Sequence, residues 1–183
     1  MTDMILERYF DAAMSPLEVI ELGAASRDCL GLHRVTWVAS YLAADGHKLV
    51  CNFRAADMES IRIALREIDA DTSVLWRCSI HDAQGQGAAD TGKVNVLVER
   101  SFENAVDLQD IQDIEDAGKW CLDVRNVRFL RTFFSIDRKR MICLYEAPDA
   151  ESVRQAQREA GVPFDEAWLF SRLGAESVSE ITD

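Results

Sequence analysis

Met4-Ile5-Leu6-Glu7-Arg8-Tyr9-Phe10 and Val96-Leu97-Val98-Glu99-Arg100-Ser101-Phe102 are the stretches that decide the fold. They stand 92 residues apart, and at that offset the chain matches itself without a gap. Across residues 4–78 against 96–170, 19 of 75 pairs are identical. Asp57-Met58-Glu59-Ser60-Ile61-Arg62 falls on Asp149-Ala150-Glu151-Ser152-Val153-Arg154, and Trp37/Phe129, Lys48/Arg140 and Phe53/Tyr145 are conservative pairs. Unrelated segments agree at only a handful of positions, so the chain reads as a tandem repeat of a domain of roughly 75–80 residues. The expected organisation is a first repeat at 1–81, a Gly- and Ala-rich linker at 82–93, a second repeat at 94–172 and an acidic tail at 173–183.

Each copy spells the same order of elements. Residues 4–10 read as a strand. Ser15-Pro16 offers a cap and a first-turn proline ahead of Leu17, Ile20 and Ala24 at helical spacing. Residues 34–43 are β-branched and aromatic, Asp45-Gly46 marks a hairpin, and residues 48–54 return. Asp57 caps a second helix carrying Ile61, Leu65 and Ile68, and residues 74–78 close the unit. The second copy repeats this with strands at 94–102, 126–135, 139–146 and 166–171 and helices near 107–120 and 149–160. Asp137-Arg138 replaces Asp-Gly there, a weaker turn signal.

The βαββαβ order is the ferredoxin-like arrangement, whose antiparallel sheet carries helices on one face only. The bare faces of two such units can cover each other. The expected fold is therefore α+β: two tandem ferredoxin-like units packed sheet-to-sheet as an intramolecular, pseudo-dimeric α+β barrel.

Strand alternation then nominates residues for a chamber between the sheets. Met4, Leu6, Arg8 and Phe10 share one face of the first strand, and Val94, Val96, Val98, Arg100 and Phe102 share one face of its counterpart. These more apolar sets are expected against the helices, which turns Glu7 and Glu99 toward the chamber. Two carboxylates in one cavity are suited to acid–base work; an internal ion pair with a neighbouring arginine, for instance Arg131, is the structural alternative. Trp37, Tyr41, Phe129, Phe133 and Tyr145 are expected to line the same space, with Arg131 orienting an anionic group. Trp76 and Trp168 read as packing residues.

A net charge of −12 and a pI near 4.7 oppose binding to nucleic acid or to anionic lipid surfaces. No apolar run reaches membrane-spanning length, and the N-terminus lacks the pattern of a signal peptide. The five cysteines include no C-x-x-C pair, and Cys29/Cys121 and Cys51/Cys143 recur at the repeat offset, which reads as reduced packing thiols in a cytoplasmic protein. His33, His47 and His81 form no ligand spacing, and no phosphate loop or nucleophile elbow is present. His33 is placed ahead of a strand, at a barrel mouth. No metal ligand is assigned.

Val98-Glu99-Arg100-Ser101-Phe102, Cys143-Leu144-Tyr145-Glu146-Ala147-Pro148-Asp149 and Arg158-Glu159-Ala160-Gly161-Val162-Pro163 resemble a small bacterial family of ferredoxin-like fold, described as nickel-binding or nickel-responsive. The resemblance covers most of the second copy and implies the fold and a face-to-face dimer. It also implies a histidine in the second helix, where this chain has Ala64 and Ala156.

The leading functional expectation is a small-molecule-binding α+β barrel without a dissociable cofactor. An isomerase, cyclase or oxygenase type of enzyme is one form of it, with Glu7 or Glu99 as the acid or base. A nickel- or other metal-responsive protein and a non-catalytic interaction module are the alternatives. The expected partner is a small molecule, with room for further homo-oligomerisation.

Overall fold

The computed structural model describes residues 1–70, 74–83, 93–174 and 177. Their element order is β1 (Thr2–Tyr9), α1 (Pro16–Leu32), β2 (Thr36–Ala43), β3 (Lys48–Ala55), α2 (Met58–Glu67), β4 (Val74–Asp82), β5 (Val96–Ser101), α3 (Leu108–Ala117), α4 (Lys119–Asp123), β6 (Arg128–Ser135), β7 (Arg140–Glu146), α5 (Ala150–Ala160) and β8 (Glu166–Leu173). The class is α+β, with eight strands and five helices among the described residues. Most of the expected linker, and the tail beyond Gly174 except Ser177, lie outside the described residues. Asp82, expected to open the linker, is the last residue of β4.

The chain divides into two compact units. Unit 1 is Met1–Cys78 with Ser171–Asp183, and unit 2 is Ser79–Phe170. In unit 1, β1 pairs antiparallel with β3 and β4, and β3 pairs with β2. Ser15 begins α1 with a reciprocal capping box to Glu18, and Pro16 occupies the first turn, where its missing N–H costs nothing. Asp57 caps α2 by accepting from the Ser60 N–H at 2.8 Å. Met4 and Leu6 of β1, Leu49, Cys51 and Phe53 of β3, and Ile61, Ala64 and Leu65 of α2 form the helix-side core.

Unit 2 has the same plan: β5 pairs with β7 and β8, and β7 with β6. Val96, Val98, Cys143 and Tyr145 meet Ile111, Val153 and Ala156 in its helix-side core. The single helix expected near 107–120 is two, because α3 stops at Gly118. A Cβ there would stand 2.4 Å from the Cβ of Ala160 on α5, so only glycine fits the crossing. The Asp137-Arg138 turn forms despite its sequence: Arg138 takes φ 61, the conformation Gly46 takes at 77, and its guanidinium reaches Asp107 at 3.1 Å.

Strand alternation sorts β1 and β5 correctly but fails on β2 and β6. The β2–β3 register shifts between Trp37 and Ala39, and the β6–β7 register between Phe129 and Arg131. A bulge adds one residue and flips everything beyond it. Trp37 therefore packs on the helix side, as do Phe129 and Tyr145. Tyr41 and Phe133, at 2% and 0% exposure, belong to neither helix-side core. The expectation that these five aromatics line one space is not met.

Candidate functional site

Arg100 of β5 lies on the helix-side face with Val96 and Val98, and its side chain is wholly buried. A lone guanidinium there would be very costly. Its Nη2 donates to Glu115 Oε1 at 3.0 Å, to Gln157 Oε1 at 2.8 Å and to the Tyr145 hydroxyl at 3.3 Å. Tyr145 in turn donates to Glu115 Oε1 at 2.8 Å, and the Gln157 amide donates to Tyr145. Burial opposes the charge on Arg100, but the Glu115 carboxylate and the hydrogen bond to Tyr145 offset it, so the guanidinium stays charged. Burial pushes the Tyr145 phenol well above its ordinary range, keeping it a neutral donor. Tyr145 thus belongs to an internal polar core, together with a glutamate on α3 and a glutamine on α5.

Arg8 occupies the equivalent place in unit 1, and its surroundings are different. The residues at the positions of Glu115, Tyr145 and Gln157 are Gly23, Phe53 and Leu65. Carboxylate, phenol and amide have all been replaced by groups that cannot accept a hydrogen bond. Arg8 makes no ion pair among the described residues, and its Nε is buried without a partner. Its guanidinium lies 5.1 Å from the centre of the Phe10 ring. Beside it is a cavity of about 40 Å³, lined by Gly23, Phe53 and Leu65 together with Trp37, Ser40 and Cys51. The Trp37 indole donates to Ser40 Oγ at 2.9 Å, and Ser40 donates to Cys51 Sγ at 2.9 Å. Burial raises the Cys51 thiol to about 11, so it is not a nucleophile at neutral pH.

The remaining nominated residues are placed as follows. Glu7 accepts from the Trp76 indole at 2.6 Å and Glu99 from the Trp168 indole at 2.7 Å, a diagonal cross-strand pair repeated in each unit. The tryptophans read as packing residues are therefore the donors that hold the two carboxylates. Arg131 grips Asp82 through Nε and Nη2, at 2.5 and 2.8 Å. His33, just ahead of β2, closes α1 as its C-cap, where Nε2 stands 3.2 Å from Glu67 Oε2. Cys29, one helical turn earlier, donates to the same oxygen at 3.1 Å. The C-x-x-x-H spacing was visible in the sequence; that Glu67, from the end of another helix, meets it was not.

Residues 97–168 match the family described as "Nickel responsive protein SCO4226-like". That stretch contains no histidine, and its Cys121 and Cys143 are buried, so its residues do not fit a nickel centre. No curated protein matches the chain. Among solved structures, a putative chlorite dismutase is similar at TM-score 0.55 and 11% identity, covering 98% of this chain and 97% of its own. A mutant chlorite dismutase from Candidatus Nitrospira defluvii, in complex with cyanide, is similar at TM-score 0.53 and 11% identity, covering 99% and 94%. At that identity the likeness concerns the fold alone. The chain is thus an α+β protein of two compact units whose residues 97–168 are similar to the nickel-responsive family.

Proposed function

We propose that the protein binds a small organic carboxylate in the unit 1 cavity, with the acid group on Arg8. One observation carries this: the arginine common to both units has an internal glutamate in unit 2 and, among the described residues, no counter-ion in unit 1. Glu115 neutralises Arg100; a ligand carboxylate performs the same task for Arg8, where charge-assisted hydrogen bonding to an arginine is strongest. The cavity sets the size. The Trp37 ring comes within 2.5 Å of where a Gly23 Cβ would be, and so fills the room that a glutamate stem would use. About 40 Å³ remains beside Arg8. One water needs roughly 10–15 Å³ by the same measure, so the remaining space suits an acid of one or two carbons, such as formate or acetate. The walls give a methyl group apolar contact, and the Ser40 hydroxyl supplies a second polar group.

The binding is tested by thermal shift and calorimetry on the full chain with formate, acetate, propionate, butyrate and chloride. Formate and acetate are expected to raise the melting temperature in a dose-dependent way, the longer acids less so, and Arg8→Leu is expected to lose the response while remaining folded. The proposal fails if the short acids give no more shift than chloride, or if Arg8→Leu responds as the native protein does.

A further inference from the structure

We propose a second, separate site in unit 1: a divalent-cation centre of borderline-soft character, formed by Cys29 Sγ, His33 Nε2 and Glu67 Oε2. These atoms lie within 4.8 Å of one another, and they are the one such set of cysteine, histidine and carboxylate ligands among the described residues. Glu67 Oε2 is 3.1 Å from Cys29 Sγ and 3.2 Å from His33 Nε2. Metal–ligand bonds of about 2.0–2.3 Å in a tetrahedron separate neighbouring ligand atoms by roughly 3.3–3.7 Å. The three atoms therefore need only small shifts to receive an ion at their centre. One sulfur, one imidazole nitrogen and one carboxylate oxygen suit zinc, cobalt(II) or nickel(II) and disfavour calcium and magnesium. Partial exposure of His33 and Glu67, at 25% and 51%, leaves an open side for water or a fourth ligand.

Unit 2 gives independent support, because it shows what this position asks for. At the repeat offset Cys29 faces Cys121, Glu67 faces Glu159, and His33 is replaced by Arg125. The Arg125 guanidinium binds Glu159 at 2.6 Å and donates to the Cys121 carbonyl at 3.1 Å. A built-in cation thus bridges the end of α4 and the end of α5. The helix ends themselves favour positive charge, because carbonyl groups without partners project from each C-terminus. In unit 1, α1 has no basic residue in its last turn, and Glu67 is the final residue of α2. The arginine has been exchanged for a histidine, a residue that coordinates a metal where arginine cannot. A divalent ion in unit 1 occupies the place of the guanidinium in unit 2. On binding, Cys29 coordinates as the thiolate and releases its proton to solvent.

This site does not rest on the carboxylate-binding proposal, and its experiment uses a different ligand. Cobalt(II) is titrated into the full-length reduced protein, with absorbance and calorimetry as readouts. The expected result is one cobalt per chain, with a thiolate-to-cobalt charge-transfer band that zinc and nickel bleach or replace by competition. Cys29→Ser should abolish the band. His33→Arg installs the arrangement of unit 2 and should abolish binding without lowering metal-free stability, while His47→Ala should bind as the native chain does. Absence of the band in the native protein overturns the proposal. So does a band that survives in Cys29→Ser or in His33→Arg.

Discussion

At the residue scale, a single arginine separates the two units. Arg8 and Arg100 are identical in the sequence and sit at equivalent places on β1 and β5; Arg100 Nη2 meets three acceptors while its Nε and Nη1 stay unpartnered, and Arg8 borders a cavity with mostly apolar walls. Alternation along β1 and β5 located both on the helix side. It did not reveal their partners, because Glu115, Tyr145 and Gln157 come from three other elements. The sequence signal was present in the comparison of the two halves: Glu115, Tyr145 and Gln157 against Gly23, Phe53 and Leu65 is a concerted loss of polar groups, legible once Arg8 and Arg100 are known to be central. Removing one partner of a buried ion pair leaves an uncompensated charge, and this is usually far more damaging than the pair is stabilising. Glu115→Ala is accordingly expected to lower unfolding free energy by about 3–5 kcal/mol in urea titrations. Replacing Arg100 by Leu in the same chain should recover part of that loss. A change below about 1 kcal/mol for Glu115→Ala would mean that Arg100 finds water or another acceptor.

At the element scale, the sequence marks most starts and stops through chemistry that acts locally. Ser15-Pro16, Asp57 and Asp149 place the beginnings of α1, α2 and α5, and Gly161 in the left-handed conformation ends α5. Two features were not legible because their cause is another element. The bulges in β2 and β6 arise from pairing with β3 and β7, and they turn Trp37 and Phe129 toward the helices, against simple alternation. At the break between α3 and α4, Ala160 of α5 approaches Gly118 so closely that a Cβ there would clash. Gly118→Ala, favourable in an isolated helix, should therefore destabilise the protein by about 1–3 kcal/mol through overpacking. Gly31 provides the contrast, since a Cβ there meets nothing; Gly31→Ala should be neutral or slightly stabilising in the same thermal-melt series.

At the scale of the whole molecule, the first compact unit is not one continuous stretch of chain. Ser171–Gly174 group with unit 1, and Leu173, at 6% exposure, sits in the core built from β1, β3 and α2. Likewise Asp82 and Ala83 belong to unit 2, where the Ala83 N–H donates to the Leu130 carbonyl at 2.9 Å. Leu173→Ala is expected to cost about 2–5 kcal/mol, as other buried leucine truncations do. Hydrogen exchange should locate the damage: amides of residues 1–78 should exchange faster, and those of 79–170 should change less. The reverse pattern would place Leu173 in the other core. The sequence by itself determined the α+β class and the order of most elements, because periodicity, caps and turn residues act over a few neighbours. The tertiary structure alone decided which carboxylate meets which arginine, that Cys29 and His33 share Glu67, and which core Leu173 completes. Those pairings join residues from separate elements, and their geometry depends on packing distances and registers that local sequence does not encode.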